Sequence, residues 1–130
     1  MIKVKKGTEI WVKTPNKIGV AAGLARVVST TKTNILAMSS YGETNKGYFK
    51  LVTSNNAKAA KAIKTLGYNV KQNNVLLVET PNNPSTFWPL AQKIAKRGVN
   101  INYCYGTAMG AKALLVLSTN NNAKAITALR

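Results

Sequence analysis

Apolar residues recur along this chain in two rhythms, and the same succession of rhythms is met twice. "EIWVKT" from Glu9 and "NVLLVET" from Asn74 are short β-rich runs, each ended by a proline, which has no N–H to give a sheet ladder. Ile18, Ala21, Leu24, Ala25 and Val28 then follow at helical spacing and predict an amphipathic helix reaching Thr31. Its counterpart carries Phe87, Leu90, Ala91 and Ile94; Pro89 confines the helix start to Ser85 or Thr86, and Gly98 is placed for a left-handed cap. "TNILAMSSYG" and "VNINYCYGTA" predict strands leading into turns, and "GYFKLVT" and "KALLVLST" the returning strands of two hairpins. "SNNAKAAKAIKTLG" and "TNNNAKAITALR" predict closing helices with Asn as N-cap, the first burying Ala60, Ile63 and Leu66. "YNVKQ" adds a strand after the first of them.

Sliding the chain on itself by 66 residues aligns it without a gap from Thr8 onward, and about 17 of 57 pairs are identical, an internal repeat. Thr14-Pro15-Asn16 falls on Thr80-Pro81-Asn82, Asn34-Ile35 on Asn100-Ile101, and "NNAKA" at Asn55 on "NNAKA" at Asn121. The second copy lacks its last strand before Arg130, but under the same shift Ile2 to Lys5 lie over Tyr68 to Lys71. An unpaired edge invites aggregation, so the N-terminal strand is expected to fill that slot. The expected fold is α+β, two ferredoxin-like βαββαβ repeats with antiparallel sheet and helices on one face. Residues 1–72 make the first repeat and 73–130 the second, residues 2–5 being a strand of the second.

Composition narrows the function. At 45% hydrophobic residues the chain should fold. Its apolar runs fall far short of the roughly 20 residues of a membrane span. The start "MIKVKKGTEI" has no apolar segment of a secretory signal, and Cys104 is alone, so a cytoplasmic location is expected. Lys and Arg number 19 against three acids, Glu9, Glu43 and Glu79, for a net charge of +16. Sixteen of the 19 are Lys, scattered singly, which reads first as a solvated basic surface and second as non-specific polyanion or nucleic-acid binding, not as base readout. Asn stands where surface acids are usual, the pattern of a surface recharged by exchange, as by engineering; that reading expects Asp or Glu at Asn55, Asn74 and Asn121 in a natural relative.

Catalysis lacks its usual groups. Without His or Asp there is no imidazole base and no Ser-His-Asp triad, and three dispersed Glu with one Cys make no zinc site. "GTAMGAK" at Gly106 lacks P-loop spacing. The expectation is a non-enzyme without cofactor or metal. Cys104 reads as packing or a spectator thiol, Tyr103 and Tyr105 as ring contacts or sheet cover, and Trp11 and Trp88 as packing residues.

Strand, Thr-Pro-Asn-x-x-Gly, helix, then Asn-Ile opening the next strand resembles the ACT domain, the regulatory module of many enzymes of amino-acid metabolism; the whole chain resembles a free-standing tandem pair. The resemblance implies an amino-acid effector site at the turn between first strand and first helix, commonly at an interface between modules. Asn16, Lys17, Ile18, Gly19, Val20 and Asn34 match it in the first copy. Asn82, Asn83, Ser85 and Asn100 match it in the second, where Ser85 replaces the glycine. A helix start offers free N–H groups to a carboxylate, and Asn can serve both ends of an amino acid. The plainer reading is a strand stop and cap at Thr-Pro-Asn, with Asn34 and Asn100 satisfying a helix-to-strand turn. The implied function is a non-catalytic amino-acid-binding regulator, likewise a homo-oligomer, acting through self-association or a partner protein. The alternative is a self-assembling scaffold whose basic surface binds nucleic acid or other polyanions.

Overall fold

A computed structural model describes residues 2–130. The elements follow in the order β1 (Lys3–Pro15), α1 (Val20–Thr30), β2 (Ile35–Glu43), β3 (Lys46–Thr53), α2 (Asn56–Lys64), β4 (Asn69–Pro81), α3 (Phe87–Lys96), β5 (Ile101–Met109), β6 (Lys112–Thr119) and α4 (Asn122–Leu129). They divide into two compact units, Thr8–Asn73 and residues 2–7 together with 74–130.

In the unit Thr8–Asn73, β3 runs antiparallel between β2 and β1, with Ile10 opposite Leu51, Val12 opposite Phe49 and Met38 opposite Leu51. Alternation along the strands sends Ile10, Val12, Phe49 and Leu51 to one face. There they are buried with Leu24 and Val28 of α1 and Ala59, Ala60 and Ile63 of α2. Tyr68 and Val70 pack on the same core. Beside them the Thr8 hydroxyl donates to Gln72 Oε1 at 3.1 Å and Asn73 Nδ2 donates to Glu9 Oε2 at 3.2 Å.

The other unit repeats the arrangement. β6 lies between β4 and β5, with Leu76 and Cys104 both opposite Leu117. Leu76, Val78 and Leu117 are buried with Leu90 and Ile94 of α3 and Ala125 and Leu129 of α4. Ile2 and Val4 pack against this core, so the N-terminal strand completes the second repeat as expected. What differs is continuity: β1 runs unbroken from Lys3 to Pro15 and β4 from Asn69 to Pro81, each serving both units. Neither run contains a proline before its end to break the ladder. Gly7 contributes by what it lacks, since a Cβ there would stand 2.7 Å from the Leu77 side chain.

Several local expectations are met. Asn55 and Asn121 cap α2 and α4, accepting from the N–H of Lys58 and Lys124. α3 starts at Phe87 behind Thr86, and Gly98 has a φ of +71° just past its end. The inner face of α1 is corrected: Val20, Leu24, Val27 and Val28 turn inward, while Ile18, Ala21 and Ala25 are exposed. Ile18 lies in the turn before the left-handed Gly19 and so is not on the helix at all. Leu66 is also exposed because α2 ends at Lys64. Trp88, expected to pack, is 69% exposed, and Cys104 is an exposed thiol.

Candidate functional site

Both Thr-Pro-Asn turns perform the same mechanical task. Asn16 donates from its backbone N–H to Asn45 O at 3.0 Å and from Nδ2 to Thr44 O at 3.2 Å. Asn82 does the same with Ala111 O and Gly110 O, both at 2.9 Å. Each asparagine therefore clips the strand-to-helix turn to the tip of the neighbouring hairpin. The preceding threonines, Thr14 and Thr80, are buried, and the Thr14 hydroxyl donates to Pro15 O at 2.8 Å.

Between clipped turn and hairpin in the unit Thr8–Asn73 lies a cavity of about 350 Å³. Asn16, Lys17, Gly19 and Val20 line it from the turn, and Ala21 and Ala22 from the first turn of α1. The opposite wall is Ser40, Tyr41, Gly42, Gly47 and Phe49 from β2 and β3. Gly19 holds a φ of +89°, a left-handed conformation natural to glycine, and having no side chain it cannot cap the helix. Val20 N–H reaches only Lys17 O, at 3.4 Å, and the N–H groups of Ala21 and Ala22 have no protein acceptor among the described residues. No acid occupies the first turn. The helix start therefore presents unsatisfied donors and partial positive charge to the cavity, a setting for a carboxylate. Asn16 spends its amide hydrogen on Thr44 and keeps Oδ1 as an acceptor. A Cβ on Gly42 would come within 2.6 Å of Asn16 Nδ2, and one on Gly47 within 2.8 Å of Thr14 Oγ1. Both glycines are thus places where the hairpin must approach the turn closely.

The matching cavity of the other unit is smaller, about 230 Å³, and lined by Asn82, Thr86, Phe87 and Ala113 among others. The repeat explains the difference: Ala108 and Ala113 replace Gly42 and Gly47, and Phe87 replaces Ala21. Its helix start is also poorer in donors, because Pro89 occupies the third helical position. Asn83 Oδ1 is engaged by the Ser85 N–H at 3.1 Å and by the hydroxyls of Ser85 and Thr86 at 3.2 and 2.9 Å.

Of the residues singled out from sequence, the first cavity gathers Asn16, Lys17, Gly19 and Val20, and the second Asn82. Ile18, Asn83 and Ser85 lie in the turns without lining either cavity. Asn34 and Asn100 serve helix-to-strand turns: Asn34 N–H donates to Ser54 Oγ and Asn100 N–H to Asn120 Oδ1, both at 3.0 Å. The hairpin wall was missed by sequence reasoning, although Gly42 and Gly47 bracketing a turn next to Phe49 were a readable sign of close approach. Among the described residues no cluster of three His, Cys, Asp or Glu could hold a metal, and no helix is long and apolar enough to cross a membrane.

A family model described as an ACT domain pair matches residues 7–129. The chain belongs to that family. No curated protein matches it in sequence. Its fold is similar to the crystal structure of a protein from Bacteroides thetaiotaomicron, with a TM-score of 0.90 and 24% identity over 97% of this chain and 88% of that one. The ligand-free regulatory subunit of aspartate kinase from Thermus thermophilus superposes with a TM-score of 0.71 at 12% identity, covering 98% and 93%. That of Thermus flavus gives 0.65 at 13%, covering 99% and 93%. The ACT pair is a regulatory, non-catalytic module whose family members bind small effectors such as amino acids.

Proposed function

We propose that this ACT pair binds a free amino acid in the cavity of the unit Thr8–Asn73 and acts as a regulatory module without catalysis. The ligand carboxylate meets the N–H groups of Val20, Ala21 and Ala22, and its ammonium is accepted by Asn16 Oδ1. The side chain lies toward Phe49, which sets the preference among amino acids. The observation that carries this reading is the helix start: two N–H groups without a protein acceptor and a third held only at 3.4 Å, no side-chain cap and no acid, opening on a cavity of about 350 Å³. The smaller second cavity, whose helix lacks the donor at Pro89, is assigned weaker binding or none.

Regulation follows from association, with itself or with a partner protein. β2 is an outer strand, and Ile35, Leu36 and Met38 on it are exposed, an edge suited to pairing with another chain. Ligand shifts such an equilibrium only by binding the associated form better, so occupancy and assembly are linked. The test is calorimetric titration with each common amino acid, paired with sedimentation at the same concentrations. Saturable heat that is abolished by Gly19→Val supports the reading. Silence across all amino acids overturns it.

A further inference from the structure

The helices of the unit Thr8–Asn73 cover one face of its strands, and the other face carries a different chemistry. Alternation and register put Trp11, Lys13, Tyr48, Lys50 and Tyr41 on that second face: Trp11 is opposite Lys50, Lys13 opposite Tyr48, and Tyr41 opposite Tyr48. The rings form a row. Tyr41 and Tyr48 stack with centroids 5.1 Å apart at 27°, and Trp11 follows 6.2 Å from Tyr48. Lysines interleave with them, Lys71 Nζ standing 4.5 Å over the Trp11 ring and Lys50 Nζ 5.9 Å from the Tyr41 ring. Tyr41 is 53% exposed; of the two acids that alternation puts on this face, Glu9 is wholly buried and Glu43, opposite Lys46 at the hairpin end, is exposed.

We propose that this face binds single-stranded nucleic acid, bases stacking on Tyr41, Tyr48 and Trp11 while Lys13, Lys50 and Lys71 meet the phosphates. Three aromatic rings in a row on an antiparallel sheet offer flat apolar surfaces at a spacing that successive bases can use, and every base has a π-face, so no sequence readout is required. Lysines at the ring edges supply the phosphate partners, and the net charge of +16 draws the polyanion in. A duplex is a poorer fit because its base faces are already stacked. A second copy of this chain is disfavoured as the occupant, since two such faces would set eight lysines (Lys13, Lys46, Lys50 and Lys71 from each) against only the two exposed Glu43 carboxylates. The proposal concerns the face turned away from the helices; Tyr41, which also borders the amino-acid cavity, is the one ring the two share, and the Trp11→Leu variant tests this face without touching that cavity.

The repeat supplies variants that spare the fold and the charge. The second unit carries Leu77 where the first has Trp11 and Thr107 where it has Tyr41, on the same strand positions. The experiment is fluorescence anisotropy of a labelled 20-nucleotide oligo(dT), its duplex with oligo(dA), and labelled heparin, each titrated with the full chain, with Trp11→Leu and with Trp11→Leu/Tyr41→Thr. The expected result is tighter binding of the single strand than of the duplex, weakened about tenfold per ring removed, with heparin binding unchanged. Lys50→Ala should lower the slope of binding against salt by about one ion. Equal affinity of the ring variants for oligo(dT), or a duplex bound as well as the single strand, would leave only diffuse charge and overturn the proposal. So would a dimer, seen by sedimentation, that the ring variants dissociate and that excludes oligo(dT).

Discussion

Gly19 and Gly23 sit four residues apart, and the same substitution at each should move stability in opposite directions. Gly19 adopts a φ of +89° and Gly23 an ordinary helical conformation inside α1, while a Cβ at either meets nothing within 4 Å. Steric fit is therefore equal, and only the backbone term remains. Alanine at position 19 must hold a left-handed conformation, costing about 1–2 kcal/mol. Alanine at position 23 relieves the helix of a flexible residue and adds about 0.5–1 kcal/mol. With a urea slope of about 2 kcal/mol/M for a chain of this size, Gly19→Ala should lower the unfolding midpoint by about 0.5–1 M, and Gly23→Ala should raise it by about 0.25–0.5 M. The assay is urea unfolding followed by circular dichroism, with the slope held common to all three proteins. A Gly19→Ala midpoint equal to or above that of the unmodified chain would refute the left-handed turn, and with it the account of why the helix start is left uncapped.

Other expectations rest on single contacts. Glu9→Ala removes the acceptor of Asn73 Nδ2 from a wholly buried position and should cost about 1–3 kcal/mol in chemical denaturation; a change below about 0.5 kcal/mol would deny that the bond matters. Asn55→Ala should lose about 1 kcal/mol with the cap of α2, whereas Asn55→Asp keeps the cap and gains about 0.3–1 kcal/mol from the helix dipole, measurable as opposite shifts of thermal midpoint. Ala21→Phe copies Phe87 into the first cavity; because Ala21 is exposed, stability should change by less than about 0.5 kcal/mol while amino-acid heat in calorimetry disappears.

The Asn55 pair bears on the surface as well. Asn55 and Asn121 hold positions where an acid would cap equally well, so the shortage of acids in this chain is not imposed by its helix starts.

The 66-residue repeat, visible in sequence, determined the order of elements, the two-unit plan and the completion of the second unit by the N-terminal strand. Those features are local or periodic, and a repeat makes each copy a check on the other. Capping asparagines and the terminating Gly98 were legible for the same reason, because each satisfies backbone groups within a few residues of itself. Which side of α1 faces inward was decided only in three dimensions: Gly19 turns left-handed, the helix begins one residue later, and Ile18 drops out of the apolar stripe. The cavity likewise needed the hairpin from Ser40 to Phe49 to be brought against the turn, a contact between residues distant in sequence that Asn16 secures through Thr44 and Asn45. The row of Tyr41, Tyr48 and Trp11 has the same origin, since three residues on three strands become neighbours only through strand register. Sequence periodicity states which face of an element is apolar; which faces then meet is settled by the packing of the whole chain.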